Sequence, residues 1–193
     1  MSNQKKLKVL LISKSFKIGG SAVGSKNLSI ALKNCGINII EIDGFEYLKK
    51  NFFLYCIRYL ERILDTLVCG KECHFLRLAP YTINLKNLVT LHKPDVIQLC
   101  DISHNTINPI IPKNLNIPVF HRLSDFWPYE GIFHYPTKKN FIYKYIDNLF
   151  KSNIISKSNK LPVLICTSYW TLENLNLNVE KYFIKNAVKT YSF

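Results

Sequence analysis

An α/β fold on a doubly wound parallel sheet is what this sequence predicts, and three observations predict it. Short apolar runs alternate with helical patterns along the chain. The first run, Lys8 to Ser13 (KVLLIS), is continuously apolar and ends in a small polar residue, as a strand buried on both faces requires, and a glycine turn separates it from the helix that follows. Alternation of this kind implies right-handed crossovers and a ligand crevice beyond the carboxyl ends of the strands. At 193 residues, with no internal repeat, low-complexity segment or linker, residues 1–193 read as one domain.

After the turn at Gly19 and Gly20, the residues Asn27, Leu28, Ile30, Ala31 and Leu32 continue a helical pattern that stops at Gly36, a helix C-terminal signal. Asn38 to Asp43 (NIIEID) then supplies the second strand and completes a strand, helix, strand unit. From Asn51 to Val68 the apolar positions Phe52, Phe53, Leu54, Ile57, Leu60, Ile63, Leu64 and Leu67 outnumber a polar stripe of Arg58, Glu61, Arg62 and Asp65. This is an amphipathic helix with a wide apolar face, packed on the sheet or partly inserted at a membrane interface. Asp95 to Leu99, Pro118 to Arg122 and Leu161 to Cys166 are further short strands, with prolines before them or at their first residues, where a missing ladder donor does least harm.

Lys+Arg 26 against Asp+Glu 13 leaves a formal charge of +13, which favours an anionic partner: nucleic acid, a phosphorylated ligand or an acidic membrane face. The excess is mostly lysine, spread from Lys5 to Lys189 without a dense run or an RNA-reading aromatic motif. It therefore reads first as a solvated surface, and nucleic acid is the weakest of the three partner classes. No run of about 18 apolar residues is present, and the lysine-flanked first strand does not resemble a cleavable signal, so the expected location is the cytoplasm. The six cysteines, Cys35, Cys56, Cys69, Cys73, Cys100 and Cys166, lie in apolar stretches and read mostly as core thiols. Cys69, Cys73 and His74 lack a second pair at zinc-like spacing, so no metal is expected.

Two strand ends carry candidate chemistry. Gly19, Gly20, Ser21, Ala22, Val23, Gly24, Ser25 and Lys26 superficially resemble a phosphate-binding P-loop, but Ser25 precedes Lys26 where that motif needs the reverse, and one position turns a helical side chain by about 100°. What survives is a glycine turn feeding a helix N-terminus, suited either to a diphosphate or simply to a tight turn. The second end is Leu123 to Tyr135 (LSDFWPYEGIFHY). Here Asp125 can accept a proton or hold sugar hydroxyls, Trp127 and Tyr129 offer stacking faces, and His134 can bind phosphate or transfer a proton near neutral pH. The competing reading makes the rings a hydrophobic plug and Asp125 a turn cap.

The run DFWPYEGIFHY resembles the DMWPFTGGCHY-type segment of a subgroup of family-four glycosyltransferases, enzymes of bacterial exopolysaccharide and lipopolysaccharide assembly. KVLLIS with IGGSAVGSKNLSIAL resembles that family's first strand and glycine loop, KPDVIQL its KPDIIHL strand, PVLICTSYWTLEN its strand with an S-x-W helix start, and FIKNAVKTYSF the FIPNGVDTxxF stretch closing its first domain. Together these segments cover nearly the whole chain.

The resemblance implies the amino-terminal, acceptor-side half of a GT-B enzyme, with a Rossmann-like sheet and a retaining transfer of sugar from a nucleotide-sugar donor to a saccharide or lipid-linked acceptor. No cofactor beyond the nucleotide-sugar co-substrate, and no metal, is implied. In the resembling enzymes Gly19, Gly20 and Ser21 would lie near the donor diphosphate, Asp125, Trp127 and Tyr129 would position the acceptor, and Asp125 and His134 match candidate catalytic positions. Ser124 stands where the family often has a catalytic histidine, and Glu130, Ile132, Phe133 and Lys189 also depart from the pattern. The donor-binding half would come from a separate C-terminal part, and activity without it would be weak or nil. The basic surface would suit peripheral contact with the anionic inner face of the plasma membrane. A non-catalytic saccharide- or phosphate-binding module on the same fold is the alternative.

Overall fold

The computed structural model describes residues 6–69, 82–103, 106–112, 114–125, 127, 129, 144–145, 148–149, 152, 161–175 and 177–186. In chain order its elements are β1 (Lys8–Ser13), α1 (Gly20–Asn34), β2 (Asn38–Asp43), α2 (Gly44–Lys49), α3 (Phe52–Cys69), α4 (Leu85–His92), β3 (Val96–Leu99), β4 (Val119–Leu123), β5 (Val163–Cys166), α5 (Tyr169–Asn174) and β6 (Lys181–Phe183). All six strands form one parallel sheet in the order β2-β1-β3-β4-β5-β6, flanked by helices in a Rossmann-like arrangement.

The sheet centre follows from the apolar runs. Leu10, Leu11 and Ile12 of β1 have no exposed surface, because β2 and β3 pair on either side of the strand and both its faces are covered. Leu10, Ile12, Ile97 and Leu99 join Leu85 and Leu88 of α4 and the loop residues Ile107 and Ile111 in one core cluster. A second cluster gathers Leu123, Tyr129, Leu164, Cys166, Leu175 and Leu177 around β4 and β5.

Helix ends match their local chemistry. Asp43 caps α2 by accepting from the N–H groups of Phe45 and Glu46, and Ser168 caps α5 by accepting from that of Thr171. Gly36 takes the left-handed conformation (φ 80°) just beyond α1, where Gly36 N–H and Ile37 N–H close the helix on the carbonyls of Lys33 and Leu32.

Several expectations change. β3 starts one residue later than expected because Asp95 instead pairs with Lys8, accepting from its N–H at 2.9 Å and donating to its carbonyl at 2.8 Å. Cys100 and Cys166 are buried, whereas Cys35 and Cys56 are exposed, since Cys35 caps α1 and Cys56 lies on the outer side of α3. The largest change concerns α3. Among the described elements it packs chiefly on α2 rather than on the sheet, and two members of the polar stripe, Arg58 and Glu61, are buried and paired at 2.8 Å. Among the described residues no helix is long and apolar enough to cross a membrane.

Candidate functional site

The chain leaves β1 towards β2 on one side and returns through β3 on the other, so the ends of β1 and β3 define the point where a parallel sheet opens a crevice. Lys14, directly after β1, and Asp101, two residues after β3, meet there. Lys14 N–H donates to the Asp101 carbonyl at 2.6 Å, and its Nζ lies 3.2 Å from Asp101 Oδ2 and donates to Ser103 Oγ at 2.9 Å. Ser21 Oγ from the first turn of α1 donates to the same carboxylate at 2.8 Å, and the Ser103 N–H donates to its other oxygen at 2.9 Å. Burial alone would raise the Asp101 pKa. The Lys14 ammonium and the hydrogen bonds from Ser103 and Ser21 outweigh that effect and hold the carboxyl well below its usual range.

The glycine turn rises beside this cluster. Ser15 Oγ accepts from the N–H groups of Lys17 and Ile18 at 3.0 and 3.3 Å, and Asp43 accepts from Phe16 N–H at 3.0 Å, which together fix the loop between β1 and α1. Gly19 then adopts φ 95°, a conformation that L side chains rarely take, and caps α1 without a side-chain hydrogen bond. No acidic residue lies in the first turn of α1, and a Cβ built on Gly19 or Gly20 would meet no atom within 4 Å. Backbone amides at such a terminus suit an anion. Because the Ser21 hydroxyl is committed to Asp101, what Ser21 offers a ligand is its N–H. Lys26 confirms the reversed motif order: its amine pairs with Glu41 at 3.2 Å.

β4 brings two buried polar side chains to the same edge. His121 lies between Cys100 O, 2.9 Å from Nε2, and Tyr129 OH, 2.8 Å from Nδ1. A carbonyl only accepts, so Nε2 carries the proton and Tyr129 donates to Nδ1, a tautomer assigned from these partners. Burial lowers the His121 pKa to about 4, against the raising effects of Cys100 O and the Asp101 charge, and burial pushes the Tyr129 phenol well up. Arg122 is 7% exposed and lies against α1: its guanidinium donates to Asn186 Oδ1 at 2.6 Å and to Ser21 O at 3.4 Å. Gly24 makes room for it, since a Cβ there would stand 2.7 Å from Arg122 Nη1.

The loop after β4 departs from its expected geometry. Trp127 and Tyr129 are 4% and 0% exposed, one in each core cluster, and Trp127 also lines the cleft beside Asp125. Asp125 is half-buried and accepts from Trp127 N–H at 3.2 Å, the turn-capping arrangement, while also lining a cleft formed by Cys100 to Ser103, His121 to Asp125 and Trp127. That cleft has a volume of about 10 Å³, the space of one water. His134 lies outside the described residues, as do Cys73 and His74.

Ser21, directly after Gly19 and Gly20, thus meets the Lys14–Asp101 pair at the β1/β3 edge, with Asp125 just beyond the end of neighbouring β4. The sequence reading missed Lys14, Asp101, Arg122 and Asn186 as a group. The available signal was position: Lys14 and Asp101 follow, within two residues, strands whose carboxyl ends line the crevice, and Arg122 is the next-to-last residue of β4. Comparison with family models, curated proteins and solved structures finds no match to this chain.

Proposed function

We propose that this chain is the acceptor-side domain of a retaining glycosyltransferase of the GT-B type, moving a sugar from a nucleotide diphosphate sugar to a saccharide or lipid-linked acceptor in cell-surface polysaccharide assembly. The observation that carries the reading is the open glycine turn of α1, which has no side-chain cap, beside the β1/β3 crevice, in the segment that resembles the donor-facing loop of family-four enzymes. In this reading the amides of Gly20 and Ser21 stabilise the charge that develops on the departing diphosphate, a role that fixed backbone dipoles fill without reorganisation. Asp125 orients the acceptor hydroxyl from the neighbouring strand end, and the buried rings of Trp127 and Tyr129 hold its loop. The Lys14–Asp101–Ser21 cluster fixes the first turn of α1 against the sheet, so the amides keep their aim.

A radiolabelled transfer assay with a panel of sugar nucleotides and cell-envelope acceptor, with and without candidate donor-binding polypeptides, tests the reading. Incorporation that falls strongly in Asp125→Asn supports it. A loss of less than about tenfold, under about 1.4 kcal/mol of barrier, would make Asp125 a turn residue only. Tight saccharide binding without transfer from any donor would favour the non-catalytic module instead.

A further inference from the structure

Helix α3 is amphipathic in the wrong direction for a helix of an isolated soluble domain. At 100° per residue, Tyr59, Phe52, Ile63, Leu67, Leu60 and Phe53 follow one another around about 120° of its circumference. All six are exposed, Phe52 at 80% and Leu67 at 76%. On the opposite side Arg58 and Glu61 are 7% and 4% exposed and form an ion pair. Charged groups are therefore turned towards the body of the protein, at a desolvation cost, while the most apolar arc faces out. An exposed patch of this kind marks an interaction surface.

We propose that α3 docks this domain flat on an anionic lipid surface, with the Phe52, Phe53, Leu60, Ile63 and Leu67 side chains entering the headgroup and acyl boundary. The arc from Tyr59 to Phe53 contains no charged residue, Lys49 and Lys50 stand immediately before the helix, and exposed Arg62 flanks it, a cationic rim around an apolar strip. The helix runs about 27 Å, enough to lie in the interface plane, and does not qualify as a span. Charge selects the occupant. A lipid surface rich in phosphate is complementary to a chain of formal charge +13, whereas a second copy would bring an equal positive charge against it. The inference rests on α3 alone and stands apart from the chemistry of the glycine turn.

Vesicle co-sedimentation tests it, with phosphatidylcholine alone and with phosphatidylglycerol and phosphatidylcholine in equal parts. The full chain is expected to bind the anionic vesicles and not the neutral ones. The exposed-site pair Leu60→Gln/Leu67→Gln should lower the partition coefficient about tenfold or more, and Leu91→Gln, an equally exposed leucine on α4, should leave it unchanged. Circular dichroism of each variant verifies its fold, and Leu60→Trp provides a second readout through a blue shift of indole emission on anionic vesicles. Failure of the full chain to bind anionic vesicles, or equal binding by the double glutamine variant, would overturn the proposal. So would a concentration-dependent dimer that the same variant abolishes, since the arc would then be a protein interface.

Discussion

Gly24→Ala is the sharpest test of how the edge of the crevice is built. An alanine Cβ would stand 2.7 Å from Arg122 Nη1, 3.0 Å from Nη2 and 3.3 Å from Cζ, so the guanidinium must retreat. Arg122 is buried and held by Asn186 Oδ1 at 2.6 Å and Ser21 O at 3.4 Å, and retreat costs both contacts. Hydrogen bonds to a charged group contribute about 1.5–3 kcal/mol, and the longer one contributes little, so the loss is about 2–3 kcal/mol. Alanine recovers up to about 1 kcal/mol in a helix interior relative to glycine. The net expectation is destabilisation by about 1–2 kcal/mol, read as a drop of roughly 0.5–1 M in the urea midpoint for a typical urea dependence. Gly20→Ala, with no atom within 4 Å of the new carbon, should leave the midpoint unchanged or slightly raised. Adding Gly24→Ala to Arg122→Met should cost less than it does alone, because the clash partner is gone. A Gly24→Ala protein as stable as the parent would refute the packing argument.

Two further predictions concern the buried polar groups. His121 has a folded-state pKa of about 4 against 6.5 ordinarily, so between these values the unfolded chain binds more protons. Its contribution is fully present above pH 6.5 and declines as pH falls towards 4, by about 3 kcal/mol in all; urea titrations across that range should show the loss, and a flat profile would contradict the burial of a neutral imidazole. Asp101→Asn leaves the Lys14 ammonium without its carboxylate in a largely buried setting, and a loss of about 2–4 kcal/mol in chemical denaturation is expected. Less than about 0.5 kcal/mol would mean that the pair is solvated and does not organise the crevice.

The sheet was legible from two kinds of signal. KVLLIS coincides with β1 because a continuous apolar run fits a strand buried on both faces of a parallel sheet, whereas NIIEID, which coincides with the edge strand β2 and buries only Ile42, was legible from its isoleucines and its place after the Gly36 helix stop. Boundaries slipped where a residue at a strand mouth is used otherwise, as with Asp95. The six-residue α2 was missed because it begins at Gly44, a residue that more often ends helices. Here a larger residue would strike Thr106 and the Lys14 backbone, and the cap comes from Asp43. The outward face of α3 was illegible in another way: periodicity identifies an apolar side but not what covers it. At the site, residue type pointed to Asp125, Trp127 and Tyr129, yet aromatic rings serve a core as readily as a ligand, and these two went inward. Lys14 and Asp101 lie far apart in sequence, and only the β1/β3 register brings them together.

The most direct test of a donor diphosphate at the glycine turn is a titration of isotope-labelled protein with uridine diphosphate and uridine diphosphate sugars, followed through backbone amide resonances. Saturable shifts are expected at Gly19, Gly20 and Ser21, at millimolar or tighter affinity, that disappear when inorganic chloride replaces the nucleotide at equal ionic strength. Shifts confined to the lysine-bearing surface, or none at these three amides, would contradict it.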